Sequence, residues 1–421
     1  MKKWSISLLI MWLSVLGFSQ PKPGDVFREY TWVTPKPGAD EDFLRVIGDG
    51  NYAEPTNKTR QLFPEGYIQD GWIELPFDID LNDAIKAEVQ IEKVLCHDDS
   101  KGLAIRVNDI DWKSFPESDN IPYPQWEYLH HFYPIVKLEL SELSQGKGNR
   151  FRFTIEQHQR WDMPQNLIYG VIFRVYYDPS TIQPKAVVAS VRNGDRCGEQ
   201  VPLAIQSNQL DEITRVDYLG HYEDVNYEGD GIYIQWHYNY YRGNLIHNLA
   251  TSTEKPFNAT WNTEWVPDQP NGFSLAARIT YNNGLIYFTQ PIKDLALDRA
   301  YHVRLYIPHN YPRRWVTREG EFITAFDLGM NPERVEKFQL AFTSWSPGYL
   351  NGIYVNDYNV IVNEGCYYCY YFSRITINEG YKLNWSNSIK TGKTPLKLGN
   401  MVHGTEIQYP GIQVLVRYRL E

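Results

Sequence analysis

Gly102-Leu-Ala-Ile-Arg-Val-Asn-Asp109 alternates apolar and polar residues and stops on Val-Asn-Asp; Gly352-Ile-Tyr-Val-Asn-Asp357 repeats that ending far downstream. Each is followed by a glycine-led, Val-rich closing strand. The first is Gly170-Val-Ile-Phe-Arg-Val-Tyr-Tyr-Asp178, the second Gly411-Ile-Gln-Val-Leu-Val-Arg-Tyr-Arg419. A solenoid repeats every 20–50 residues or so, and this repeat is spaced by most of the chain. The pattern therefore predicts two copies of one β-sandwich with a different module between them.

Composition agrees with an all-β chain. There are 31 Tyr and 13 Trp, and 29 Gly and 25 Pro punctuate short apolar runs rather than long helical periods. The rings suit sandwich cores first, and sugar faces second. The net charge of -10 argues against a nucleic-acid partner, which would draw on a basic stripe. Four cysteines, Cys96, Cys197, Cys366 and Cys369, are too few for a disulfide scaffold in a chain of this length. Cys366-Tyr-Tyr-Cys369 has no partner pair to complete a zinc site, and is read as structural or oxidised.

Met1-Lys-Lys-Trp, an apolar run from Ile6 to Phe18 and then Ser19-Gln20 predict a secretory signal cleaved before Gln20. The run is shorter than the roughly 20 residues of a membrane span. The expectation is an exported protein, periplasmic or secreted, with no membrane anchor. The domains expected are a signal at 1–19, a first sandwich at 20–180, an immunoglobulin-like sandwich at 181–297 and a second copy of the first at 298–421. Within the middle module, Asn282-Asn-Gly284 predicts a hairpin turn. Gly231–Tyr241 reads as one aromatic strand turning at Arg242-Gly243. Asn387–Ile407 reads as a long loop. Its Lys390-Thr-Gly-Lys-Thr-Pro395 lacks the spacing of a phosphate-binding loop.

On the shared Ile-x-Val-Asn-Asp strand and the glycine-led closing strand, the first and third modules resemble galactose-binding-like jelly rolls. Through Asp230–Tyr238, Trp261–Gln269 and Trp345–Gly352, the whole chain also resembles secreted multi-domain proteins of environmental bacteria that accompany polysaccharide-degrading enzymes. That resemblance implies carbohydrate processing and carries no catalytic residue set with it.

The residues themselves offer three constellations. Asp224, Asn226, Glu228 and Asp230 place oxygen ligands at alternate positions before Gly231, like the start of a calcium loop. Gln235 stands where such a loop needs a bidentate Glu. Calcium is thus the one cofactor suggested, and the alternative is a solvated acidic turn. His237, Tyr238 and His247 could meet across a hairpin at Arg242-Gly243. A histidine base and a tyrosine acid can remove the proton beside a uronate carboxyl group and protonate the leaving oxygen. The alternative is an ordinary polar-aromatic strand. Trp236, Arg313, Arg314, Trp315, Trp345, Tyr349 and His403 are candidates for holding an acidic poly- or oligosaccharide, by bidentate anion contacts and ring stacking. No GxSxG elbow supports Ser-His-Asp chemistry. The leading expectation is β-elimination, as a lyase or an oligosaccharide dehydratase, on a uronate glycan. The rival is a carbohydrate-binding protein without catalysis.

Overall fold

The computed structural model describes residues 20–34, 43–53, 68–97, 102–116, 128–129, 133–156, 166–182, 186–228, 231–309, 322–345, 350–361, 370–378, 381–393, 396–398, 401–403, 406–407 and 411–420. The fold is all-β: two jelly-roll sandwiches flank an immunoglobulin-like one. No helix among the described residues is long and apolar enough to cross a membrane.

Eight strands frame the first unit: Val26–Val33, Trp72–Glu74, Ala84–His97, Ala104–Val107, Lys113–Ser114, Ile135–Leu138, Arg150–Thr154 and Asn166–Tyr177. Counted along the chain, they lie in the order 6-3-8-1 in one sheet and 2-7-4-5 in the other, which is a jelly roll. The third unit uses Tyr301–Tyr306, Phe322–Asp327, Val335–Trp345, Leu350–Val355, Tyr358–Ile361, Tyr370–Ile377, Ser386–Lys393 and Gln413–Arg419 in the same two orders. Each sandwich closes over alternate apolar residues, such as Val89, Ile91, Phe151 and Phe173 in the first and Phe338, Leu340, Ile389 and Val416 in the third.

The repeated Val-Asn-Asp has a physical cause. Asn108 and Asn356 both turn their strands with φ +52°, a left-handed conformation that Asn tolerates. The Asn108 side chain accepts from the Arg150 N–H at 3.0 Å and donates to Asn149 Oδ1 at 3.1 Å. Asn356 accepts from the Ser388 N–H at 3.0 Å and donates to Asn387 Oδ1 at 3.1 Å. Asn149 and Asn387 in turn each clasp a loop main chain, at Ser144 and Asn384. The strand registers match too, Val107 opposite Phe151 and Val355 opposite Ile389.

In the middle unit, Ile213–Glu223, Phe273–Tyr281 and the broken strand Ile286–Phe288 and Ile292–Leu297 make one layer. Arg196–Cys197 runs parallel to its last strand. Ala186–Val188 with Ile205–Ser207, and Gln200–Leu203 with Ala259–Asn262, make the other layer. Trp261 fills the space between, 5.6 Å from Phe273 and 5.5 Å from Tyr222. The hairpin expected at Asn282-Asn-Gly284 is present, with Gly284 at φ +82°. Gly231–Tyr241 is not one strand. Ile234–Trp236 pairs with Ile213–Glu223, while Asn239–Tyr241 pairs with Asn244–Ile246, so the chain changes sheet at His237-Tyr238. Asn387–Ile407 is not a loop either. It holds most of the strand Ser386–Lys393 and the hairpin Leu396–Leu398/Met401–His403. Its Lys, Thr and Gly content masked the alternation that buries Asn387, Ile389 and Thr391.

The first and middle units share a sheet. Val26 and Phe27 pair with Tyr287 and Ile286, joining both into one sheet of 14 strands among the described residues. A buried ion network runs across this join. Arg174, with no exposed side-chain surface, donates to Glu29 at 2.7 Å and Glu88 at 3.0 Å; Glu29 also pairs with Arg278, and Arg278 with Asp217 at 3.5 Å. Burial pushes the Glu29 carboxyl up, but Arg278 and Arg174 outweigh it and hold it below the ordinary carboxylate range. The hairpin at Asn239–Ile246 lies over the network, where Tyr240 donates to Glu29 at 2.6 Å and the Gly243 N–H to Glu92 at 3.1 Å. Removing one partner of a buried ion pair costs about 3–5 kcal/mol. Glu29→Ala should therefore lower the unfolding free energy by that amount in urea titration. A loss under about 1 kcal/mol, the range of an exposed pair, would show that the join does not depend on these charges.

Candidate functional site

On the first jelly roll, the outer face of the second sheet carries a cleft of about 590 Å³ lined by Asp70, Trp72, Glu74, Asn108, Asp109 and Arg150 among others. Tight turns build it. Asp70 and Gly71 turn Ile68–Gln69 into Trp72–Glu74 with φ of +52° and +78°. A Cβ on Gly71 would lie 2.5 Å from the Gly50 backbone, so only glycine lets these two turns approach. Tyr52 donates to the Gly71 carbonyl at 2.8 Å and locks the turn. The Asn108 clasp sets Asp109 at the cleft edge, where its carboxylate accepts from Arg150 at 2.8 Å. The Arg150 guanidinium lies 4.4 Å from the centre of the Trp72 ring. Arg152, on the same strand face, lies 5.3 Å from Trp72 and 5.9 Å from Trp112, and is paired with Asp49. A half-buried indole, carboxylate acceptors and guanidinium donors thus meet in one open cleft.

A second constellation lies where the middle unit meets the third. Here His237, which precedes the hairpin strands, and His247, which follows them, lie on two sides of Tyr227. His247 stacks on Tyr227 at 3.8 Å between ring centres, and His237 lies 6.2 Å from it. The third unit contributes Phe372, 4.4 Å from Tyr227, and Arg374. Arg374 binds both oxygens of Asp224, at 3.0 and 3.1 Å, and Tyr227 donates to Asp224 at 3.0 Å. Asp224, Tyr227 and His237 are all buried. The His237 Nε2–H donates to the Tyr222 carbonyl at 2.8 Å, and Nδ1 has no hydrogen-bond partner among the described residues. Burial pushes this imidazole below its usual pKa, so it is neutral near pH 7. Burial raises the Tyr227 phenol, which keeps its proton.

The other predicted residues scatter. Tyr238 points away from His237 into a separate aromatic core, 6.2 Å from Tyr240 and 6.4 Å from Phe288, so the two do not share a site. Trp236 packs on Phe288 at 5.2 Å at the edge of that core. Of the calcium set, Asp224 faces Arg374, the Asn226 main chain is held by Gln413, and Glu228 accepts from Gln235 at 3.0 Å. Among the described residues, no three His, Cys, Asp or Glu side chains lie close enough to hold a metal ion. Asp230, Arg313, Arg314, Trp315 and Tyr349 lie outside the described residues, as do Cys366 and Cys369. Trp345 and His403 end the strands Val335–Trp345 and Met401–His403.

Sequence reasoning missed Trp72, Arg150 and Arg152; it read the Val-Asn-Asp strand beside them, and the unread signal was the Asp70-Gly71 dipeptide, a turn pair. It also missed Tyr227 and Arg374, whose meeting across two units leaves no spacing to read. A further pair, Asp268 and His302, sits in a smaller cleft of about 230 Å³. There the Asp268 carboxylate accepts from Arg299 at 2.6 Å and meets His302 Nδ1 at 2.7 Å.

No protein-family profile matches the chain, and no curated protein sequence does. Solved structures give weak likenesses. BuGH86 in complex with neoagarooctaose is 11% identical with a TM-score of 0.22, over 56% of this chain and 34% of that one. The β-porphyranase of glycoside hydrolase family 86 from Bacteroides plebeius is 8% identical with a TM-score of 0.23, over 56% and 37%. The ANXUR1 extracellular domain from Arabidopsis thaliana is 10% identical with a TM-score of 0.20, over 93% and 97%. The chain thus spans little more than a third of the length of these two glycoside hydrolase structures. Scores of this size carry no argument about activity.

The state of His237 predicts a pH dependence. Its folded pKa lies below the unfolded value near 6.5, so its contribution is fully present above that value and is lost as pH falls towards the folded pKa. The loss is at most about 1.4 kcal/mol per pH unit. Urea titrations at pH 7.5 and 5.5 should show wild type losing more stability than His237→Gln, whose amide can still donate to Tyr222. Equal losses would contradict a buried neutral His237.

Proposed function

We propose that the chain is an exported carbohydrate-active protein that holds an oligosaccharide in the cleft of the first jelly roll. The observation that carries this reading is the meeting of Trp72 with Asp70, Glu74, Asp109 and Arg150 in one open, polar cleft. An indole covers the apolar C–H face of a pyranose. Each sugar hydroxyl both donates and accepts, and the Arg150–Asp109 pair offers a donor beside an acceptor. The signal-like N-terminus and the resemblance to proteins that accompany polysaccharide-degrading enzymes point the same way. Trp72→Ala should weaken oligosaccharide binding about tenfold or more, equivalent to about 1.4 kcal/mol, in calorimetric titration. Unchanged affinity, or no binding of any neutral or uronate oligosaccharide to wild type, would refute the reading.

One observation favours β-elimination on a uronate glycan as a second reading: a neutral His237 with an unpartnered Nδ1 lies near the Tyr227 phenol, which Asp224 and Arg374 hold. In that chemistry the imidazole takes the proton at C5 and the C4–O4 bond breaks as C4=C5 forms. The phenol gives a proton to O4, and Arg374 offsets charge developing on the carboxylate. The site is closed over His237, which is why binding at the open cleft stands first. Absorbance at the unsaturated-uronate band should rise when wild type meets uronate oligosaccharides, and His237→Ala should cut the rate by about 10²–10⁴. No rise with any uronate oligosaccharide removes this reading and leaves the first intact.

A further inference from the structure

We infer that the cleft is one end of a longer track, and that its ligand is a neutral oligosaccharide chain laid across the outer sheet face from Trp72 past Arg152 to Trp112. The inference rests on the cleft being a sugar site and goes further in naming the length and charge of what binds. Trp72 belongs to the second strand of the sheet, Arg150 and Arg152 to the next, and Trp112 precedes the strand at the far side. Side chains two apart on a strand share a face, so Arg150 and Arg152 project together beside Trp72 and Glu74, which lie opposite them on the neighbouring strand. The Arg152 guanidinium contacts both indoles, at 5.3 and 5.9 Å, and so bridges two aromatic rings across the sheet. Its place is fixed from behind. A Cβ on Gly50 would lie 2.5 Å from its Nη2, and Asp49 holds its charge. Two indoles on one face with a positioned guanidinium between them suit successive rings of an extended chain better than a single sugar.

Charge selects the class. Three arginines lie on this face: Arg150 pairs with Asp109, Arg152 with Asp49, and Arg106, opposite Arg152 in the ladder, reaches the Asp109 main-chain carbonyl; with Asp70 and Glu74 counted, the carboxylates still outnumber them. Asp70 and Glu74 add exposed negative charge, and no cation pairs with either among the described residues. A uronate or sulfate would meet this surplus, whereas neutral hydroxyls can use its acceptors. The acidic ligand expected from sequence therefore does not suit this face.

The test titrates the full chain with glucose, mannose and galactose, with cellotetraose, mannotetraose and β-1,4-galactotetraose, and with tetragalacturonate. At least one neutral tetrasaccharide should bind tenfold or more tighter than its monosaccharide. Trp112→Leu, which keeps apolar volume, should remove that gain and leave monosaccharide binding unchanged, while Trp72→Ala weakens both. Asp109→Asn at the exposed rim, away from the core, should weaken the neutral tetrasaccharide as well. Tetrasaccharides no tighter than monosaccharides, a Trp112→Leu variant that binds like wild type, or tetragalacturonate tighter than every neutral sugar would overturn the track while Trp72 dependence still upheld the cleft. No binding of any sugar would overturn both.

Discussion

The rest of the structure depends on one buried charge, Glu29, held between Arg174 of its own jelly roll and Arg278 of the neighbouring sandwich. It stands on the strand that continues one unit's sheet into the next. An exposed edge strand invites aggregation, and this pairing removes one edge from each unit. Desolvating such charges is costly, and their attraction offsets that cost only with good geometry and full hydrogen bonding. Gln90, Tyr176, Tyr240 and Thr251 supply most of that bonding around the arginines and carboxylates, while Gln90 Nε2 and Arg278 Nε have no hydrogen-bond partner among the described residues. One face of the shared sheet is thereby committed to joining units, and the hairpin at Asn239–Ile246 seals it.

The second junction repeats the device with different residues. Asp224, Tyr227 and Arg374 bind the middle unit to the third, and the Gln413 side chain grips the Asn226 main chain from both sides. An ion pair that holds two units together is not free to serve a substrate unless the junction opens. This is the physical reason for ranking an open cleft above a closed histidine–tyrosine set. The first jelly roll has one sheet in the join, and its other sheet presents Trp72, Arg150, Arg152 and Trp112 outward.

Local rules made the repeat legible. Val-Asn-Asp recurs because a left-handed Asn must both turn the strand and clasp an Asn from the returning loop, so the sequence carries the constraint twice. The Asn282-Asn-Gly284 hairpin was legible for the same reason. Reading failed where partners are remote. The regular local spacing of Asp224 gave no sign of its ion-pair partner Arg374, 150 residues away. Tyr238 looked like a neighbour of His237 because it follows it, yet the chain crosses between layers at that point. Ser386–Lys393 looked like a loop because one of its faces is polar and solvated. Nothing in the spacing announced that the first and middle units share a sheet, since that pairing joins Val26–Phe27 to Ile286–Tyr287.

Hydrogen–deuterium exchange of the full chain with and without a bound oligosaccharide tests the central claim most directly. The account predicts new protection at 68–74, 106–113 and 144–154, with little change at 222–247 and 370–377. Protection confined to 222–247 and 370–377 would contradict it and move the ligand to the junction of the middle and third units.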